Sequence, residues 1–313
     1  MRFTLFHNTP AWYRFILAVL VIFTFSLLFF VFAVLIGIPL FHLSGADVRN
    51  IFLTGIQAQN ISFLKYLQVI QSVGTFFLPA LFLAWLFTGN SYAYLRINTP
   101  VKFYSFVLVS FSILFAIPII NFTGYLNSLI SLPDSMVGIE DKIRELENEA
   151  SELMKSFLNV HSTGGYLVNL MVVAILPAIC EEFLFRGVFQ RLFIEWTRNK
   201  HIGIIVAAVI FSFFHLQFLG FIPRFLLGVY FGYLLIWSNT LWLPIAAHFI
   251  NNAFAVTFYH FANQTPGFSW IDEIGGTDEN MLYLFSGIFI FIVTVLLIYK
   301  NEHVHSSKED KLS

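Results

Sequence analysis

Residues 166–189 read YLVNLMVVAILPAICEEFLFRGVF, an apolar run interrupted by two adjacent carboxylates, Glu181 and Glu182, with Arg186 one helical turn later. A run of this length can cross about 30 Å of hydrocarbon as a helix. A carboxylate at the centre of such a helix costs about 2.5–3.5 kcal/mol on insertion scales. Two in succession mark a functional site by default, provided that the segment lies in lipid.

The composition supports that condition. Hydrophobic residues make up 58% of the chain and charged residues 11%, and the mean hydropathy is +0.78. A soluble domain carries about 25% charged residues, so the fold class expected here is an all-α, polytopic membrane helix bundle. Forty phenylalanines suit helices that face lipid. The net charge of −1 offers no basic surface for nucleic acid. The single cysteine, Cys180, excludes an intrachain disulfide and a cysteine-based structural zinc site.

Outward from residues 166–189, hydropathy predicts about eight transmembrane helices. They run over Phe15–Ile38, Leu67–Phe87, Phe103–Phe122, Tyr166–Phe189, Ile202–Phe218, Arg224–Trp237, Leu241–Phe261 and Leu282–Tyr299. The first is too long for a signal-peptide core and lacks a small-residue cleavage site, so it reads as a retained span. Arg2, Arg14, Arg96, Arg191, Arg198 and Lys200 fall on the side of the N-terminus in this topology. That side carries the excess of Lys and Arg, which predicts cytoplasmic termini. Gly228 and Gly232 stand at GxxxG spacing and permit close helix packing.

The whole chain, 1–313, reads as a single membrane domain with its chemistry in residues 165–260. Residues 123–164 form the least hydrophobic stretch between spans. Their acidic residues and the apolar Ile139, Ile143, Leu146, Leu153 and Phe157 recur at helical spacing. This predicts an extramembrane amphipathic helix, on the surface or capping the bundle. The acidic stretch Asp272 to Glu279 reads as a loop, and the polar tail 301–313 as disordered.

Three later spans contain polar groups that lipid-facing helices avoid. They are Glu181, Glu182 and Arg186, then His215, then His248, Asn251 and Asn252. Residues four apart lie about 40° apart around a helix. Glu182 and Arg186 can therefore pair, whereas Glu181 points elsewhere and is freer to act as a base. His248 and Asn252 share a face and could address one substrate atom. At 1.5 Å per residue, Glu181, His248 and His215 lie within about 10–20 Å of the cytoplasmic ends of their spans, so they could meet in one cavity.

Such a set admits two chemistries, both ending in amide hydrolysis. In one, Glu181 and His215 activate a water while His248 and Asn252 stabilise the oxyanion. In the other, Glu181, His215 and His248 hold a zinc ion that activates the water. HExxH is absent and no two histidines stand at i, i+4 in these spans, so the metal-free form with no cofactor is preferred.

The strings Glu181-Glu182-Phe183-Leu184-Phe185-Arg186, Phe211-Ser212-Phe213-Phe214-His215 and His248-Phe249-Ile250-Asn251-Asn252 resemble three family motifs. These are the EExxxR, FxxxH and HxxxN of the type II CAAX prenyl endopeptidase superfamily, also called CPBP or Abi. The resemblance covers about residues 165–260. It implies an intramembrane endopeptidase with Glu181 as catalytic glutamate and His215 as its partner on the water. His248 and Asn252 would form the oxyanion site, with Glu182 and Arg186 as structural support.

The implied substrate is a membrane-tethered peptide or protein, cleaved in CAAX-type processing or in processing of a bacteriocin or leader peptide. The lipid bilayer is the other partner, and a bacterial cytoplasmic membrane is the expected location. The competing readings are a non-enzymatic self-immunity or scaffold protein, and a transporter or proton relay, because intramembrane Glu and His also mark ion paths.

Overall fold

The computed structural model describes residue 6 and residues 9–53, 61–262 and 281–309, with the backbone alone at 50, 52, 53 and 304–309. Its regular structure is helical, with no strand among the described residues. In chain order the helices are α1 (Ala11–Leu40), α2 (Gly45–Leu53), α3 (Ile61–Thr88), α4 (Ser91–Tyr94), α5 (Phe103–Ser128), α6 (Val137–Leu158), α7 (Thr163–Thr197), α8 (Lys200–Phe213), α9 (Phe221–Ser238), α10 (Trp242–Ala262) and α11 (Met281–Glu309).

Each apolar stretch predicted as a span is helical over most of its length. Among the described residues six helices, α1, α3, α5, α7, α9 and α11, are long and apolar enough to cross a membrane. The protein is a polytopic helical membrane bundle. Its outer surfaces are greasy, as on α1 at Leu20, Phe23, Leu28 and Leu35, which suits hydrocarbon rather than water as the neighbour.

Helix α7 is the spine. Its Ala178, Leu184, Val188 and Leu192 are sealed against Leu83, Ala84 and Phe87 of α3 and Ala18 and Ile22 of α1. A second cluster joins Leu108, Val109 and Ile113 of α5 to Phe231 and Leu234 of α9 and to Leu243 and Ala247 of α10.

Two of the long rods widen into π-helix just before a proline, Val73–Phe77 ahead of Pro79 and Leu170–Ile175 ahead of Pro177. Proline lacks an N–H and its ring crowds the carbonyl four residues earlier, which for Pro177 is that of Val173. The wider turn relieves the crowding, and neighbouring helices supply the missing donors. Gln68 Nε2 reaches the Val172 carbonyl at 3.4 Å, and Asn252 Nδ2 reaches that of Val173 at 3.2 Å.

Two expected boundaries move. Helix α8 ends at Phe213 rather than Phe218. The N–H groups of Phe214, His215 and Leu216 bond back to Ile210, Ser212 and Phe213, and Leu216 takes φ 51°, so the chain leaves the helix in a tight turn. At the other end, the segment expected to be disordered from residue 301 continues α11 to Glu309. Buried Glu302 explains its first turn: it accepts from the Ser105 hydroxyl and pairs with Lys102 at 2.8 Å, while Asn301 donates to Ser105 at 2.8 Å. Residues 310–313 and the acidic stretch Asp272 to Glu279 lie outside the described residues.

Helix α6 is amphipathic and docked rather than free. Near its C-terminus Phe157 and Leu158 are buried, and Lys65 of α3 donates to the Phe157 carbonyl at 2.8 Å and to Asn169 at 2.6 Å. Mid-helix, Glu147 accepts from the Leu219 N–H. Ile143 and Leu146 line a cavity of about 210 Å³ against Phe213, Leu216 and Phe218. The Glu140 carboxyl is held below its usual range by the Arg144 side chain and the Leu132 N–H.

A side chain at Gly74 would place its Cβ 2.3 Å from Phe29 Cβ, whereas one at Gly124 meets nothing within 4 Å. Gly74→Val is expected to force α1 from α3 at a cost of about 1–3 kcal/mol. The measurement is thermal unfolding in detergent, with Gly124→Ala as the neutral control. Equal melting temperatures for the two variants would refute this packing.

Candidate active site

The π turn and Pro177 set the phase of α7 as it enters Leu176–Leu184, which carries both glutamates. Adjacent helical residues point about 100° apart, and the two carboxylates meet different surroundings. The Glu182 side chain is 0% exposed and that of Arg186 1%. Arg186 Nη1 donates to Glu182 Oε1 at 2.8 Å, and His248 Nδ1 of α10 donates to the same oxygen at 2.9 Å. Arg186 Nη2 donates to the Gly228 carbonyl of α9 at 3.2 Å. Its guanidinium stands 4.3 Å from the Phe211 ring centre and 5.4 Å from that of Phe231.

Burying a guanidinium is costly unless its donors and charge are met. Here one carboxylate, one carbonyl and two aromatic faces meet them. The GxxxG pair of α9 makes this approach possible. A Cβ at Gly228 would lie 3.2 Å from the Ala208 backbone, and one at Gly232 would meet Gln190 at 2.7 Å. Gln190, one turn beyond Arg186, repeats the contact by donating to the Gly232 carbonyl at 3.1 Å.

Glu181 and His215 form a second, more open pair. Their side chains are 16% and 31% exposed, and Glu181 Oε2 lies 4.0 Å from His215 Nε2. Glu181 Oε2 has no hydrogen-bond donor from the described residues. His215 Nδ1 is 2.9 Å from the Phe211 carbonyl. A carbonyl can only accept, so Nδ1 carries the proton and Nε2 presents a lone pair toward Glu181. Phe211 thereby serves both groups: its carbonyl sets the tautomer of His215, and its ring lies under Arg186 and edge-on to His248 at 5.9 Å.

The turn bearing His215 is pinned from outside α8. Asn127 of α5 donates to the Phe218 carbonyl at 2.9 Å and accepts from the Ile222 N–H at 2.8 Å. Arg224 of α9 donates to Gln217, and its charge lies within electrostatic reach of Glu181, His215 and Glu147.

The predicted residues thus fall into two groups. Glu182, Arg186 and His248 are tied together, and Glu181 faces His215. Asn252 is hydrogen-bonded to neither group. Its Nδ2 is spent on Val173, about two turns before Glu181 on α7, and its Oδ1 accepts from Asn251 at 3.1 Å. Composition and spacing gave no hint of Phe231, Asn127 or Gln68. Arg224 is visible in the sequence only as the charge that opens the span Arg224–Trp237. Among the described residues no three His, Cys, Asp or Glu side chains group as a metal site requires.

This constellation lies where the chain matches known proteins. Residues 163–254 match the family model described as Type II CAAX prenyl endopeptidase Rce1-like. The segment therefore carries the sequence pattern of the family that the three motifs resemble. The chain is similar to the membrane-embedded CAAX protease MroQ of Staphylococcus aureus (strain USA300), 34% identical over 97 residues, which is 29% of this chain and 39% of that protein. It is also similar to YpbD of Bacillus subtilis (strain 168), 33% identical over 89 residues, or 27% of this chain and 42% of that protein. The matched part spans less than half the length of these curated relatives. No solved structure matches.

Glu182→Ala leaves the buried Arg186 without its carboxylate and is expected to cost about 3–5 kcal/mol. Glu181→Gln touches no ion pair to Arg186 and is expected to unfold within about 0.5 kcal/mol of wild type. Denaturation in detergent checks both, and a Glu182→Ala protein as stable as wild type would remove the sealed cluster from the account of the fold.

Proposed function

We propose that the protein is an intramembrane endopeptidase that cleaves a peptide bond of a membrane-tethered peptide or protein by a glutamate-dependent, metal-free route. The observation that carries this reading is the contrast in burial: the Glu181 and His215 side chains are 16% and 31% exposed, while those of Glu182 and Arg186 are sealed. A water held between the Glu181 carboxylate and His215 Nε2 would donate one hydrogen to each, leaving its oxygen lone pair for a scissile carbonyl. Glu181 takes the water's proton as the C–O bond forms, and passes it to the amide nitrogen as the C–N bond breaks.

The oxyanion would be met by His248 and Asn252. His248 Nδ1–H is committed to Glu182, which leaves Nε2 as the ring nitrogen free to face the oxyanion, with Phe231 stacked at 5.4 Å. Asn252 keeps a second amide hydrogen beyond the one given to Val173. Arg224 adds positive potential beside Glu181.

The family match over residues 163–254 and the similarity to a membrane-embedded CAAX protease of Staphylococcus aureus support the reaction class. CAAX-type cleavage or processing of a bacteriocin or leader peptide are the substrates that fit it. The bacterial sources of both relatives support a bacterial cytoplasmic membrane, with both termini inside as the Lys and Arg distribution suggests.

The test is turnover of a lipid-anchored peptide by purified protein in nanodiscs. Removing the general base should slow cleavage about 10²–10⁴-fold, so Glu181→Gln and His215→Ala are expected to lose activity in that range while melting like wild type. Turnover by Glu181→Gln equal to wild type would sink the proposal. Activity abolished by a strong chelator and restored by zinc would replace the metal-free route with a metal-dependent one.

A further inference from the structure

At the end of the bundle where α1 starts and α7 ends, two arginines share one carboxylate and a third lies within electrostatic reach of one of them. Arg14 Nη2 pairs with Glu195 Oε2 at 2.5 Å, and Arg191 Nε lies 3.6 Å from Glu195 Oε1. Arg191 Nη1 donates to the Tyr94 carbonyl at 2.5 Å, and its guanidinium sits 4.2 Å over the Tyr94 ring. Arg96 completes the group. Its backbone is fixed, with φ 55° and its carbonyl accepting from the Leu241 N–H at 3.1 Å. Its side chain makes no hydrogen bond or ion pair with any described residue. Burial and the charge of Arg191 both disfavour its protonated form.

Arg14 and Arg191 share one carboxylate and Arg96 lies within electrostatic reach of Arg191, so positive charge is left over at this end of the bundle. Two buried polar atoms there also lack partners, the Tyr94 hydroxyl and Arg14 Nε. Tyr94 is 4% exposed, and the charges of Arg191, Glu195 and Arg14 act on its hydroxyl. Burial pushes that phenol well above its usual range, so it stays protonated and can donate. Unspent guanidinium charge close to a buried O–H is what an anion with several acceptor oxygens requires.

The rim is aromatic and exposed, with Trp12 48%, Tyr92 70% and Trp196 51% exposed. Tryptophan and tyrosine concentrate at headgroup level, and basic pockets between membrane helices take anionic headgroups.

We propose that Arg14, Arg96, Arg191 and the Tyr94 hydroxyl form a binding site for a phosphate group, supplied by an anionic phospholipid headgroup at the membrane surface. Glu195 is not a ligand. It holds Arg14 and Arg191 in position and leaves Arg96 as the principal unspent charge. The site is about nine residues along α7 from Glu182 and shares no side chain with the proposed chemistry, so it stands or falls independently of that reading.

Native mass spectrometry and thermal unfolding of the full chain in detergent test it, with phosphatidylglycerol, phosphatidylcholine or inorganic phosphate added separately. Wild type is expected to retain phosphatidylglycerol over phosphatidylcholine and to melt higher with it. Arg96→Gln should weaken phosphatidylglycerol retention about tenfold while leaving the lipid-free melting temperature unchanged. Tyr94→Phe, which removes only the hydroxyl, should weaken it by a smaller factor. Equal retention of both lipids by wild type, or unchanged retention by both variants, overturns the site. Stabilisation by inorganic phosphate alone that equals the lipid's and is lost in Arg96→Gln supports the anion site and overturns the headgroup as its source.

Discussion

The structure depends on one buried charge. Arg186 sits within the bundle with almost none of its surface exposed, and a guanidinium cannot be left unpaired in such a place. Its demands organise the surrounding helices. Glu182 meets it from the same helix, the Gly228 carbonyl from α9, and Phe211 and Phe231 from α8 and α9. Glu182 then also holds His248 of α10. Four helices are thereby drawn to one point. Because Glu181 is the next residue, its carboxylate is carried about 100° around the same rigid helix to a face that the cluster does not close.

Proline chemistry supplies a second constraint. The strings Leu78-Pro79-Ala80 and Leu176-Pro177-Ala178 share the same local form, a π turn followed by α-helix. In each, the absent proline N–H leaves a carbonyl to be satisfied from elsewhere. On α7 those carbonyls belong to Val172 and Val173, and they take amides from Gln68 and Asn252. The defect in one helix thus becomes a tie between three, which also orients Asn252.

The matched segment does not stand alone. It begins at the start of α7 and ends within α10, yet the turn that carries His215 is held by Asn127 of α5 and Glu147 of α6, and the π turn of α7 is held by Gln68 of α3. Elements outside the family pattern therefore fix the distances inside it. Helix α6 sits over that turn with an apolar cavity between them. This connects the amphipathic segment between α5 and α7 to the geometry around His215.

Much of this was legible from residue order. Unbroken apolar runs can only be spanning helices in lipid, because every backbone donor must be met internally. A four-residue spacing puts Glu182 beside Arg186 on any helix. The limits of the reading are also physical. The end of α8 depended on three N–H groups that bond back locally and on Leu216 in a left-handed conformation, which hydropathy does not register. The helical start of the polar tail depended on Glu302 reaching Lys102 and Ser105 far back in the chain. The partners of His248 and Asn252 were of the same kind. Spacing placed both on one face, but only the packing of α7 against α10 sent one to Glu182 and the other to Val173. Local order determines what each helix can present. Which of those groups is sealed and which stays open depends on contacts between residues distant in the chain, and those exist only once the helices have packed.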